Sequence, residues 1–201
     1  MRGAANAILC LPEDAKQNGV ATHSSGNFAQ ALALAARQAG VKAYIVMPSN
    51  SPAVKKAAVA GYGGEIIECE PNLQAREDTL AKVVARTGAT FIHPYNDHDV
   101  IHGQGTSAME LLEDVPDLDV LIVPVGGGGL VAGTALAAHF FSPKTKVIAA
   151  EPLGADDAWQ SVQAGKIIPQ TNPQTIADGL RTSLGDKTFP IIRDLVERII
   201  R

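Results

Sequence analysis

Six short apolar runs, each closed by glycine or a polar turn, alternate with five longer segments that carry apolar residues at i, i+3 and i+4. That alternation admits few folds. The runs are Val20–His23, Ala43–Met47, Glu65–Glu68, Thr90–His93, Val120–Val125 and Lys146–Ala150. They are short and apolar on both faces, as strands are in a parallel sheet covered by helices. The segments between them, Asn27–Ala39, Pro52–Gly61, Asn72–Thr87, Gly103–Leu112 and Leu130–Phe140, read as the covering helices. Repeated β/α units of this kind predict an α/β fold of three layers with mostly parallel sheets. Ser51-Pro52 is expected to start one helix, and Gly40 and Gly61 to end two others in the left-handed conformation. Past Pro152 the periodicity weakens; residues 165–175 read as a loop and Pro190–Ile200 as a last helix.

The 201 residues are 46% hydrophobic but only 4% aromatic, so Ala, Val, Ile and Leu must fill the core. A net charge of −4 without a basic stripe argues against nucleic acid or an anionic membrane surface as partner. The longest apolar run stops at four glycines, far short of the ~20 residues of a membrane span. The N-terminus lacks the layout of a signal peptide, and Cys10 and Cys69 alone make no disulfide framework, so a reducing cytoplasm is the expected compartment.

Three constellations could carry chemistry. Thr22-His23-Ser24-Ser25-Gly26-Asn27 lies between a strand and a helix, where N–H groups and hydroxyls converge and the helix dipole favours an anion. The same letters also make an ordinary N-cap. Pro124-Val125-Gly126-Gly127-Gly128-Gly129-Leu130 occupies a second strand-to-helix junction. Each glycine inside an element costs about 1 kcal/mol relative to Ala, so four in a row point to close approach of a ligand, such as a phosphate at the helix N-terminus. No Gly-Lys-Ser/Thr follows; Glu151 keeps a dinucleotide site in play as a weaker competitor. Glu151-Pro152-Leu153-Gly154-Ala155-Asp156-Asp157 offers oxygen donors to a hard cation such as Mg²⁺ or Ca²⁺, or caps the next helix. The five histidines show no metal-ligand spacing, and hydrolytic motifs do not occur.

Taken in register, Ser24-Ser25-Gly26-Asn27, His93-Pro94-Tyr95-Asn96-Asp97, Gly103-Gln104-Gly105-Thr106, the four-glycine loop, Glu151-Pro152-x-x-Ala155-Asp156-Asp157 and Thr175-Ile176-Ala177-Asp178-Gly179 form one pattern. From Arg2 to the end it resembles the serine racemase and threonine/serine dehydratase family of fold-type II pyridoxal-phosphate enzymes, with a tryptophan synthase β-like fold. The resemblance implies that Gly126, Gly127, Gly128, Gly129 and the N–H of Leu130 hold the cofactor phosphate. It implies that Asn27 bonds the pyridine hydroxyl, and that Ser24, Ser25, Gly26 and Asn27 grip the carboxylate of serine or threonine. Ser25 matches the racemase residue that exchanges a proton opposite the Schiff-base lysine, where many threonine dehydratases carry Ala. Glu151, the carbonyl of Ala155 and Asp157 match a racemase divalent-cation site. Gln30 and Tyr62 fall where some racemases bind nucleotide such as ATP as an effector between subunits of a homodimer.

The same resemblance implies a small lobe over residues 19–96, with 1–18 and 97–201 forming part of a larger cofactor-binding lobe and ligands between them. It also marks departures. The family's Schiff-base lysine lies in Lys-x-Arg-Gly-Ala, and Met1-Arg2-Gly3-Ala4 begins one residue after it, while Arg201 precedes the family's C-terminal strands. Phe28 stands where the motif usually continues with His. The expectation is an incomplete fold that binds the cofactor weakly and turns over poorly. Rival readings are a dehydratase without racemase activity, a non-catalytic interaction module, and a nicotinamide-dependent oxidoreductase.

Overall fold

Strands β1 (Val20–His23) and β6 (Lys146–Ala150) form where the apolar runs predict them, and β2 (Ala43–Pro48), β3 (Glu65–Cys69) and β5 (Val120–Pro124) differ by single residues. Strand β4 is cut back by two residues, to Thr90–Phe91. The computed structural model describes residues 1–24 and 26–201; Ser25 lies outside the described residues. Two compact units divide the chain, Met1 with Gly3–Pro94 and Arg2 with Tyr95–Arg201. Residues 3–18, assigned from the resemblance to the larger lobe, fall in the first unit as helices α1 (Arg2–Cys10) and α2 (Glu13–Asn18).

In the first unit the parallel sheet runs β3-β2-β1-β4, with Val20 opposite Ala43 and Thr90, and Tyr44 opposite Glu65. Alternate residues of β2 feed opposite faces. Tyr44 and Val46 pack with Ala21 and with Leu80 and Val83 of α5 (Leu73–Thr87). Ile45 lies on the other side, close to Ala33 of α3 (Asn27–Gln38) and Val59 of α4 (Ala53–Gly61) around Gly64. Helices therefore cover both faces, giving three layers.

The second unit has the parallel sheet β5-β6-β7, with β7 at Arg198–Ile200. Leu121, Val123, Val147 and Ala149 pack against α6 (His98–Asp114), α7 (Gly129–Phe141), α8 (Asp157–Ala164) and α9 (Thr188–Leu195). In α7 every residue from Val131 to Ala135 is buried, as suits a helix with apolar residues all round.

The structure corrects several expectations. The run Pro190–Ile200 is not one helix: α9 stops at Leu195, and Arg198–Ile200 pair with Ile148–Ala150. Ladder bonds and the β-branched Ile199-Ile200 outweigh the helical spacing there. Ser51 does not cap α4; its hydroxyl is buried without a partner, and Pro52 holds the cap position. Gly61 is the last helical residue, and Gly63 at φ 87° takes the left-handed place two residues on. Gly40 does adopt it, at φ 68°. Nor are all strands buried on both faces. On the edge strand β3, Glu65 and Glu68 pair with Lys42 and Lys56, and charges of this kind protect a sheet edge. On β5, Ile122 is 63% exposed. Among the described residues no helix is long and apolar enough to cross a membrane.

Candidate functional site

The first site-forming element is the turn after β1. Ser24 extends the strand pairing by donating its N–H to the Val46 carbonyl at 3.1 Å, and its Oγ accepts the Gly26 N–H at 3.3 Å. Gly26 is the N-cap of α3 and has no side chain to satisfy the helix's first N–H groups, which stay available to an anion. The cap therefore does not come from Ser24 or Asn27. Lys55 of α4 brings its Nζ to 3.9 Å from the position a Cβ on Gly26 would take, so a cation stands beside the turn. No local pattern signals this, because Lys55 lies on another element. Beneath the turn, His23 stacks on Phe91 at 5.7 Å and meets His93 edge-on at 6.0 Å. Burial, reinforced by the charge of Arg76, holds His23 below the usual histidine range.

The second element is the glycine loop between β5 and α7. Its tightness is steric. A Cβ on Gly127 would land on the Tyr95 ring, one on Gly126 would sit 2.9 Å from the Gly179 carbonyl, and one on Gly129 would sit 3.0 Å from Tyr95 Cβ. Gly128 has φ 91°, and a Cβ there would meet Ile192, Leu184 and Thr188 at 2.8 to 2.9 Å. The buried Thr188 hydroxyl donates to the Gly127 carbonyl at 2.9 Å and fixes the loop from behind. Helix α7 starts at Gly129, so the N–H groups of its first turn have no acceptor within the helix. A wall without side chains, lined by oriented N–H groups, fits a phosphate. The loop also meets the Thr175–Gly179 motif through Gly179 and Leu180. Tyr95 and Thr188, the residues that shape it, were not singled out for this role from the sequence, because both are distant in the chain.

The third element follows β6. Glu151 is buried, and its two carboxylate oxygens accept the N–H groups of Ala158 and Trp159 at 3.0 and 2.9 Å, capping α8 from outside. Asp157 is also buried; Oδ2 accepts the Leu184 N–H at 3.3 Å, while Oδ1 has no partner. Burial pushes Glu151 up to about 7 and Asp157 up to about 6, against the lowering effect of the backbone N–H groups they accept and, for Asp157, of the Gln170 side chain. Two desolvated carboxylates and an orphaned oxygen fit a hard cation, and a single turn of 3-10 helix at Leu153–Ala155 lies between them in sequence. Among the described residues no three His, Cys, Asp or Glu side chains cluster in a metal-binding arrangement, so a cation here would need backbone carbonyls or water as further ligands. Asp156 points elsewhere, to Arg201 and Gln160.

Compared with known protein families, the chain matches the one described as "Pyridoxal-phosphate dependent enzyme" over residues 1–201. The chain belongs to that family. It is 52% identical over 200 residues to a serine racemase of Oryza sativa subsp. indica, covering 100% of this chain and 59% of the relative. A beta-hydroxyaspartate dehydratase of Paracoccus denitrificans is 50% identical over 199 residues, covering 99% of this chain and 63% of the relative. Among solved structures, maize serine racemase superimposes with a TM-score of 0.97 at 51% identity, covering 99% of this chain and 60% of that one. The chain thus spans about 60% of the length of these relatives. The α/β architecture with parallel sheets is that of the family's fold-type II members.

The first constellation thus lies in one unit and the other two in the second. Gln30 is half-buried on α3, and Tyr62 follows α4 with the Arg37 guanidinium 5.8 Å from its ring.

Proposed function

We propose that this chain carries the cofactor- and substrate-binding residues of a pyridoxal-phosphate-dependent serine racemase with serine and threonine dehydratase side activity. The observation that carries the proposal is the 52% identity to rice serine racemase along the whole chain, together with a glycine loop where a Cβ would come within 3.0 Å of neighbouring atoms at all four positions.

In this reading the phosphate rests on Gly126 to Gly129 and the Leu130 N–H, and Asn27 bonds the pyridine hydroxyl. Bound pyridoxal phosphate supplies an electron sink for charge that develops at the substrate α-carbon. Ser24, Gly26 and Asn27 hold the substrate carboxylate at the N-terminus of α3, helped by the nearby Lys55 charge. Ser25 exchanges the α-proton on one face. Glu151, the Ala155 carbonyl and Asp157 hold Mg²⁺ or Ca²⁺, whose charge offsets the burial of both carboxylates. ATP acts as an effector near Gln30 and Tyr62, and the longer protein is a cytoplasmic homodimer. Residues 19–96 serve the substrate, and 97–201 the cofactor phosphate.

The test is intact mass and absorbance after adding pyridoxal phosphate and reducing with borohydride, beside a form extended at its N-terminus by the relatives' Lys-x-Arg-Gly-Ala segment. An adduct mapped to that lysine, with racemase and pyruvate-forming activity in the extended form and poor turnover in the 201-residue chain, is the expected result. Absence of adduct and colour in both forms overturns it in favour of a non-catalytic module. The 50% identity to a dehydratase supports a second reading without racemisation. Ser25→Ala in the extended form separates the two: a racemase loses racemisation selectively, whereas a dehydratase keeps its elimination rate.

A further inference from the structure

We propose that the ion pair between Arg201 and Asp156 sets the charge that the Glu151–Asp157 cation site presents, making Arg201 a tuning and positioning residue for that site. The inference rests on the reading of this cluster as a cation site. That reading has support beyond the acidic residues themselves: Asp157 is 2% exposed and its Oδ1 is buried without a partner.

The three carboxylates of the cluster have different fates. Glu151 is held by the N–H groups of Ala158 and Trp159, and Asp157 by the N–H of Leu184 and the side chain of Gln170. Asp156 instead receives Arg201 Nη1 at 2.8 Å and Gln160 Nε2 at 2.6 Å. The same guanidinium lies 3.8 Å from the centre of the Trp159 ring, a close stack that fixes its plane. Backbone geometry delivers it there, since the Ile200 carbonyl accepts the Glu151 N–H at 2.9 Å at the end of the β6–β7 ladder. Arg201 therefore touches both neighbours of the site, and it cancels the one carboxylate that makes no contact inside it.

With Asp156 neutralised, Glu151 and Asp157 present a charge of two, matched to a divalent ion. Loss of the guanidinium leaves three negative charges around the site, and loss of the Asp156 carboxylate leaves a net of one. One added or removed unit charge at this range changes divalent affinity by about three- to tenfold, and trivalent affinity by more.

The experiment uses Tb³⁺ luminescence sensitised by Trp159, the chain's single tryptophan, with Ca²⁺ as competitor, on the 201-residue chain at pH 8. R201Q is expected to tighten Ca²⁺ about three- to tenfold and Tb³⁺ by a larger factor, D156N to weaken both, and the double variant D156N/R201Q to return near the starting value. R201K, which keeps the charge, stays within about twofold of the parent. A structural role would not produce shifts of opposite sign that cancel. The proposal is overturned if R201Q and D156N both weaken binding, or if neither moves it. Should far-UV circular dichroism show R201Q unfolded, D156N decides: unchanged affinity overturns the proposal. Asp157→Asn separates the two levels. Saturable binding that D157N abolishes but the Arg201 and Asp156 variants leave unmoved overturns only the tuning role. Binding that D157N leaves intact, or none at all, overturns the cation reading and the tuning with it.

Discussion

Two strand-to-helix turns in this chain offer helix N-termini, and they are built in opposite ways. After β5, four glycines are packed against Tyr95, Gly179, Leu184, Thr188 and Ile192, and a Cβ would lie under 3.0 Å from its neighbours at Gly126, Gly127 and Gly128 and at 3.0 Å at Gly129. After β1, a Cβ on Gly26 would have, among the described residues, only the Lys55 Nζ within 4 Å. One is a wall shaped by excluded volume and fixed N–H directions. The other is an open turn with the Ser24 hydroxyl and the Lys55 charge beside a helix N-terminus. The difference teaches that the same local motif can tie its function to stability or leave the two separable.

The largest effect should come from Gly127→Ala. Its methyl group collides with the Tyr95 ring, so destabilisation of about 3 kcal/mol is expected from the denaturant midpoint, with loss of cofactor binding in the same variant. A fall under about 1 kcal/mol would mean that the wall yields, and the contrast with the first turn would fail.

The next is a pH effect in the second unit. Glu151 and Asp157 have ordinary values of 4.5 and 3.8 and folded values of about 7 and about 6. The folded chain therefore binds these protons more tightly than the unfolded chain. The stability they contribute is present at low pH and is lost as pH rises through about 6 to 7. Thermal melts should show about 2 kcal/mol less stability at pH 8 than at pH 5 from these groups, recovered by millimolar Ca²⁺ at pH 8. Stability that does not fall between pH 5 and pH 8 would count against the burial of these carboxylates, and a melt that Ca²⁺ leaves unmoved at pH 8 would count against a cation site there.

Thr188→Val tests the support behind the glycine loop. It keeps the shape but leaves the Gly127 carbonyl without its donor, which should cost about 1–2 kcal/mol and weaken phosphate binding in proportion. The smallest effect on stability is expected from Gly26→Ala, under about 1 kcal/mol, since among the described residues a Cβ there would meet only the Lys55 Nζ, at 3.9 Å. A cost equal to that of Gly127→Ala would show that the β1 turn is as tightly built as the β5 loop.

Much of the architecture was legible because periodicity reports burial. The strands Val20–His23 and Lys146–Ala150 and the helix from Asn27 follow from local pattern alone. Helix α8 was expected only as the helix that the acidic cluster would cap, and Glu151 does cap it through Ala158 and Trp159; strand β7 was missed because it exists only against the remote β6. Of the site, the glycine loop and the acidic cluster were visible as residue types. The orphaned Oδ1 of Asp157, the approach of Lys55 to Gly26 and the clamp of Thr188 on Gly127 were not.

By itself, the order of residues determined the β/α alternation, the parallel pairing it demands and the positions of the two helix N-termini, because hydrophobic period and glycine placement act over a few residues. Tertiary structure alone decided which carboxylate of Glu151, Asp156 and Asp157 is paired and which is left desolvated. Burial and hydrogen-bond geometry depend on groups far away in the chain, here Leu184 and Arg201, that no local pattern records.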